Sequence, residues 1–148
     1  SYIGKTLKNL LLQNICKYCK YILERCALCK YILEGSSLKI KDKLFHIKES
    51  MDCTIQNVIY VLICNGCNEF YIGQTGDKLR NRRTVHDQQI RDPSTRQIPL
   101  SAHIDNCSKK DPKYLIFPFY KCHSNSVSAR LSKERYFINI FKPKLNNY

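Results

Sequence analysis

The chain has 148 residues, with 25 Lys and Arg against 12 Asp and Glu, a net charge of +13, nine cysteines and no tryptophan. That length suffices for one compact core, or one domain with a small metal-stapled accessory, and excludes a large multidomain enzyme. A positive excess spread along the chain points to a polyanionic partner, nucleic acid ahead of membrane. No apolar run reaches the ~18 residues of a membrane-spanning helix, and SYIGKTLKNLLLQN lacks the apolar core and cleavage site of a signal peptide, so an intracellular protein without membrane contact is expected. Its first residue is Ser1 rather than Met, and the chain is read as part of a longer one. Without a secretory signal, cysteines that fall largely in Cys-x-x-Cys pairs read as metal ligands rather than disulfides.

In chain order, the first feature is Cys16-x2-Cys19-x6-Cys26-x2-Cys29, inside a segment that contains CKYILE twice. Two such knuckles are a strong zinc signal, with free thiols on an amphipathic segment as the alternative. Residues 35–51 alternate apolar and charged side chains, as a strand pair or an extended linker would; His46 is expected to pack on that strand. Asn57 to Cys64, NVIYVLIC, is a β-branched and aromatic run suited to a buried strand. Phe70 to Thr75 is a second strand, and Asn65-Gly66 between them is a hairpin signal. Asp77 is expected to cap a helix through Ile90, and a short helix follows at Ser101 to Asn106. Tyr114 to Lys121 reads as a strand, with Pro118 marking an edge or a bulge. Ser124 to Phe141 reads as a helix with a serine cap, an apolar stripe of Val127, Leu131, Ile138 and Phe141, and a stop at Lys142-Pro143. The order predicts an α+β domain, a small antiparallel sheet flanked by helices, over 53–148, after a cysteine-rich, zinc-binding connector over 1–52.

Val58-Ile59-Tyr60, ten residues, then Tyr71-Ile72-Gly73 resembles the paired strand motifs of GIY-YIG nucleases. The resemblance continues with Arg82 and His86 on one helix face, and with Glu134, Pro143 and Asn146 at the family's spacing. Val58 departs from the family's first glycine. The resemblance implies a metal-dependent DNA endonuclease. Hydrolysis of a phosphodiester needs a base for water, positive charge on the phosphate and help for the leaving oxygen. Arg82 suits a phosphate oxygen pair, and Glu134 suits Mg²⁺ or Mn²⁺. A tyrosine is implied as general base, Tyr60 ahead of Tyr71, which would orient the water or phosphate; His86 is the alternative base. Lys78, Arg80 and Arg83 read as phosphate-backbone contacts, and Asn146 is grouped with them. Taken one at a time, the tyrosines would be packing and the arginines a solvated helix face; five elements in order make that reading poor.

Cys64 and Cys67 inside the hairpin resemble the zinc-binding variant of this domain in Penelope-like retroelements, which implies a structural Zn²⁺ held with His103 and Cys107. Cys122 and His123 compete for the fourth place. The same resemblance implies nicking of target DNA to leave a 3′-hydroxyl primer, with element RNA and a reverse transcriptase domain of the same polyprotein as partners, in the nucleus. The rival reading is a zinc-stapled nucleic-acid-binding module that no longer cuts.

Overall fold

The computed structural model describes residues 37–46, 51, 53–95, 97–110 and 112–146. Cys16, Cys19, Cys26 and Cys29 lie outside the described residues. The elements run β1 (Ser37–Ile40), β2 (Lys43–His46), β3 (Val58–Cys64), β4 (Phe70–Thr75), α1 (Leu79–Arg91), α2 (Pro99–Cys107), β5 (Tyr114–Lys121) and α3 (Val127–Phe141), closed by a 3-10 turn at Lys144–Asn146. The α+β architecture is therefore the one expected. β3 is the centre of an antiparallel sheet ordered β4-β3-β5, while β1 and β2 form a separate hairpin.

Every residue of β3 is buried, which explains why VIYVLIC carries no polar alternation: a central strand covered on both faces has no solvent side. The register pairs Tyr60 with Gly73 and Leu62 with Tyr71 on one neighbour, and Tyr60 with Pro118 on the other. Pro118 sits in an edge strand beside a register shift at Ile59 and Tyr60, where its missing N–H leaves no ladder bond unmade.

One sheet face packs under α1 and α2 and carries Tyr60, Tyr71 and Tyr114. The other packs under α3 and the β1–β2 hairpin. Phe45 of that hairpin is wholly buried and meets the rings of Phe70, Phe117, Phe119 and Phe141 at centroid distances of 4.2–6.2 Å. Burying such a ring contributes about 1.5–3 kcal/mol. The hairpin thus shares the core of the residues that follow it, across the division expected at 52 and 53. His46 is exposed at its end, not packed.

Two local expectations are corrected and one is refined. Lys78, not Asp77, is the N-cap of α1; the Asp77 carboxylate accepts from the Lys78 N–H and the Asn81 amide one step earlier. Asn65-Gly66 does turn the β3–β4 hairpin, as expected, but within a longer loop from Asn65 to Glu69, closed by Cys64 N–H donating to Glu69 O and Asn68 N–H donating to Cys64 O, with Asn68 at φ 65°. On α3, Val127 and Leu131 are exposed; the inward face is Arg130, Glu134, Phe137, Ile138 and Phe141. Ser126 caps this helix by accepting from Ala129 N–H, and Lys142 ends it in the left-handed region before Pro143.

Candidate active site and metal cluster

Tyr60 stands at the middle of β3 with no exposed surface. The N–H of Arg82 Nε donates to its hydroxyl at 3.2 Å, and the same hydroxyl lies 2.7 Å from His86 Nε2. A guanidinium only donates, so the phenol oxygen accepts from Arg82, and with His86 Nε2 it shares a hydrogen bond in which the phenol donates when the imidazole proton is on Nδ1. Arg82 and His86 reach one phenol because they are one helical turn apart on α1. The Tyr71 ring completes the group, 6.5 Å from Tyr60 and 6.1 Å from His86 between centroids.

Gly73 makes this arrangement possible. A Cβ there would stand 2.5 Å from the Cζ and hydroxyl of Tyr60 and 2.9 Å from Tyr71 Cε1. The glycine of the YIG stretch is therefore the floor on which the Tyr60 phenol lies.

Burial and the adjacent Arg82 and Arg83 push His86 down to about 3, so the imidazole is neutral. Burial pushes Tyr60 and Tyr71 up, against the pull of Arg82. Burial also raises Glu134, offset in part by Arg135, Arg82 and Arg130. That half-buried carboxylate is near enough to raise both tyrosines further. Its donor chemistry fits one hard divalent cation shared with a phosphate. Glu69, by contrast, is engaged at 2.9 Å by Lys41. A cavity of about 330 Å³ opens beside these groups, lined by Tyr71, Arg82 and His86 with Gln89, Pro99 and Asn146.

Two residues expected to contact nucleic acid have their side chains engaged within the fold, Asn146 at the edge of the cavity. Arg83 is buried, ion-paired with Asp87 and over the Tyr114 ring at 5.2 Å. It braces α1 on β5 instead of facing solvent. Asn146 accepts from Ile72 N–H at 2.8 Å and donates to Ile72 O at 2.9 Å, acting as a one-residue strand on the free edge of β4. Lys78 and Arg80 are half-buried near the start of α1.

A network that sequence reasoning missed joins the sheet to α3. Arg130 donates to Gln74 Oε1 at 2.5 Å and to Asn57 Oδ1 at 3.0 Å, while the Asn57 amide donates to the carbonyls of Cys122 and Ser124. It fixes the turn of α3 that precedes Glu134. Nothing distinguishes Arg130 from other arginines in the text; Asn57 before a β-branched run was the available signal.

At the far end of the β3–β4 hairpin, the ligand atoms of Cys64, Cys67, His103 and Cys107 all lie within 4.8 Å of one another. Around a tetrahedral zinc with bonds of about 2.3 Å, ligand atoms stand about 3.8 Å apart. The cluster needs little contraction to close on an ion. Gly66 N–H donates to Cys64 Sγ at 3.4 Å, a contact that favours the thiolate although burial pushes the thiol up. A Cβ on Gly66 would come 2.6 Å from the Cys107 carbonyl oxygen, so the glycine serves the approach of α2 as well as the turn over 65–67. Cys122 and His123 stand apart, just beyond β5.

A family model described as the GIY-YIG catalytic domain matches residues 56–148. The chain belongs to the GIY-YIG family. No curated protein and no solved structure matches it. The GIY-YIG domain implies a nuclease, and the cleft lined by Tyr71, Arg82 and His86 is the candidate site. No helix among the described residues is long and apolar enough to cross a membrane.

Proposed function

We propose that this GIY-YIG domain is a metal-dependent DNA endonuclease that nicks one strand. The observation that carries this reading is the Tyr60 hydroxyl held between Arg82 and His86 beside a cavity lined by Tyr71. Glu134, assisted by waters and phosphate oxygens, would hold Mg²⁺ or Mn²⁺, which supplies Lewis-acid stabilisation of the developing phosphorane charge. Arg82 binds a non-bridging phosphate oxygen through the guanidinium nitrogens left over from Tyr60. The Tyr60 oxygen receives the proton of the attacking water as its own O–H proton passes to His86 Nε2. His86 enters neutral with Nε2 free to accept, the negative charge of the substrate phosphate offsets the burial and arginine charges that disfavour its protonated form, and Tyr71 orients the water.

In this reading the Cys64, Cys67, His103 and Cys107 cluster holds Zn²⁺ and is structural. The cysteines within the hairpin support the retroelement assignment: a nick with a 3′-hydroxyl primes reverse transcription, with element RNA and a reverse transcriptase domain of the same polyprotein as partners, in the nucleus. Plasmid nicking in Mg²⁺ or Mn²⁺ tests the enzyme. Glu134→Ala is expected to stop nicking while DNA binding persists. The complete burial of Tyr60 favours the rival, a binding module, and wild-type protein that binds plasmid but never nicks it with either ion would establish that rival.

A further inference from the structure

On α3, Arg130 and Glu134 look towards β4, as the bond from Arg130 to Gln74 requires. Lys133 and Tyr136 follow on the adjoining side of the helix, with Phe137 between them and Arg130. The Lys133 ammonium stands 5.1 Å from the Tyr120 ring centroid on β5 and 5.2 Å from that of Tyr136. The Phe137 ring lies 5.3 Å from both tyrosine rings. These groups wall a groove of about 410 Å³ between α3, β5 and the end of β2, with Lys121 at its rim. The phosphodiester chemistry uses none of them.

The groove's composition selects its occupant. Tyr136 is 54% exposed, so a large aromatic face is left in water where a helix surface would ordinarily carry a polar residue. Among the described residues no carboxylate lines the groove, while Lys121 and Lys133 do. Flat apolar faces beside ammonium groups match a nucleotide, whose base stacks on aromatic rings of any sequence context while its phosphate meets the cation. A second copy of a chain carrying +13 would bring like charge to the same place.

We propose that this groove binds an unpaired nucleotide of the DNA strand that crosses α3 from the nuclease cleft, its base on Tyr136 and Phe137 and its phosphate on Lys133 and Lys121. The identity of that strand rests on the endonuclease reading; the stacking site does not. A helix with side chains is about 10–12 Å across, so the stacked base lies a short way along the strand from the phosphate under attack.

The test is binding by the full chain carrying Glu134→Gln, so that DNA stays intact. The probes are a blunt duplex and the same duplex with a single-stranded DNA tail bearing 2-aminopurine at successive positions. The tailed duplex is expected to bind about tenfold more tightly, the worth of one good stack, with fluorescence quenched at one tail position. Tyr136→Ala and Lys133→Ala, both on the helix surface, are each expected to remove the quench and the preference without moving the urea midpoint. Equal binding of tailed and blunt DNA, or a quench that survives Tyr136→Ala, would overturn the proposal. So would preference for an RNA tail, or a change of oligomeric state in Tyr136→Ala. A wild-type chain that keeps the quench but never nicks plasmid would remove the endonuclease reading and leave the groove standing.

Discussion

Replacing Gly73 by alanine tests the geometry of the active site with a single methyl group. Its Cβ would start 2.5 Å from both Cζ and the hydroxyl of Tyr60 and 2.9 Å from Tyr71. Ordinary contact begins near 3.4 Å, so the phenol end of Tyr60 must withdraw by about 1 Å. Tyr60 has no free space to enter, being wholly buried in the central strand, and overpacking of this kind costs about 1–3 kcal/mol. The same shift displaces the hydroxyl from its 2.7 Å contact with His86 and its 3.2 Å contact with Arg82. A displacement of about 1 Å in a positioned catalytic group costs on the order of 100-fold in rate. Single-turnover nicking of supercoiled plasmid should therefore fall about 100-fold in Gly73→Ala, with the urea midpoint lowered but the fold retained. A variant that nicks at the wild-type rate, or that loses stability without losing rate, would refute the claim that the phenol's placement over residue 73 governs the chemistry.

Three further outcomes follow from the same contacts. His86 is held near 3 against an ordinary 6.5; the unfolded chain therefore takes up a proton below 6.5 that the native one refuses, and stability is full above pH 6.5 and lost as pH falls towards 3. The whole window is worth roughly 5 kcal/mol, His86→Gln should flatten it in urea titrations, and the pH profile of kcat/KM should show no break near 6.5. Gly66→Ala, pressed against the Cys107 carbonyl, should weaken zinc binding about tenfold or more in competition with a chromogenic chelator, whereas Cys64→Ser should remove the ion and lower the thermal midpoint; unchanged zinc content in both would break the ligand assignment. Asn146→Ala leaves the Ile72 N–H and C=O unpaired at the edge of β4 and should cost about 1–3 kcal/mol in denaturant. If Asn146 instead contacts DNA, the salt dependence of binding will move and the denaturation midpoint will not.

What could be read from the sequence divides by the range of the force involved. A serine cap, a left-handed residue before Pro143 and a proline at an edge bulge act within one turn or one ladder rung, so Ser126, Lys142 and Pro118 announced their roles locally. The grouping of Tyr60, Tyr71, Arg82 and His86 was legible because a spacing shared with a family stands in for three-dimensional proximity. Burial was less legible. Arg83 looks like its neighbours in KLRNRR, yet its place on the buried side of α1 is decided by Tyr114 and Asp87, one of them 31 residues away along the chain. Val127 and Leu131 fit a helical stripe, but the face of α3 that packs is the one carrying Phe137, Ile138 and Phe141, with Arg130 bonded to Gln74 and Asn57. Asn65-Gly66 was legible as the hairpin turn, but the second demand on its glycine was not, because the Cys107 carbonyl lies on α2.

Both glycines of the hairpin answer to groups outside their own strand, and this couples its two ends. Gly66 admits α2 to the metal cluster, Gly73 admits the Tyr60 phenol, and Cys64 and Tyr60 lie four residues apart on one face of β3. With Cys64, Cys67, His103 and Cys107 bound to an ion, the end of β3 is tied to α2, whose first turn, at Pro99, lines the cavity beside Tyr71 and His86. The cluster therefore sets one wall of the cleft as well as the register of its two tyrosine strands. Loss of the ion should accordingly act on both: the stability of the hairpin, and the rate at which a domain that still binds DNA can cut it.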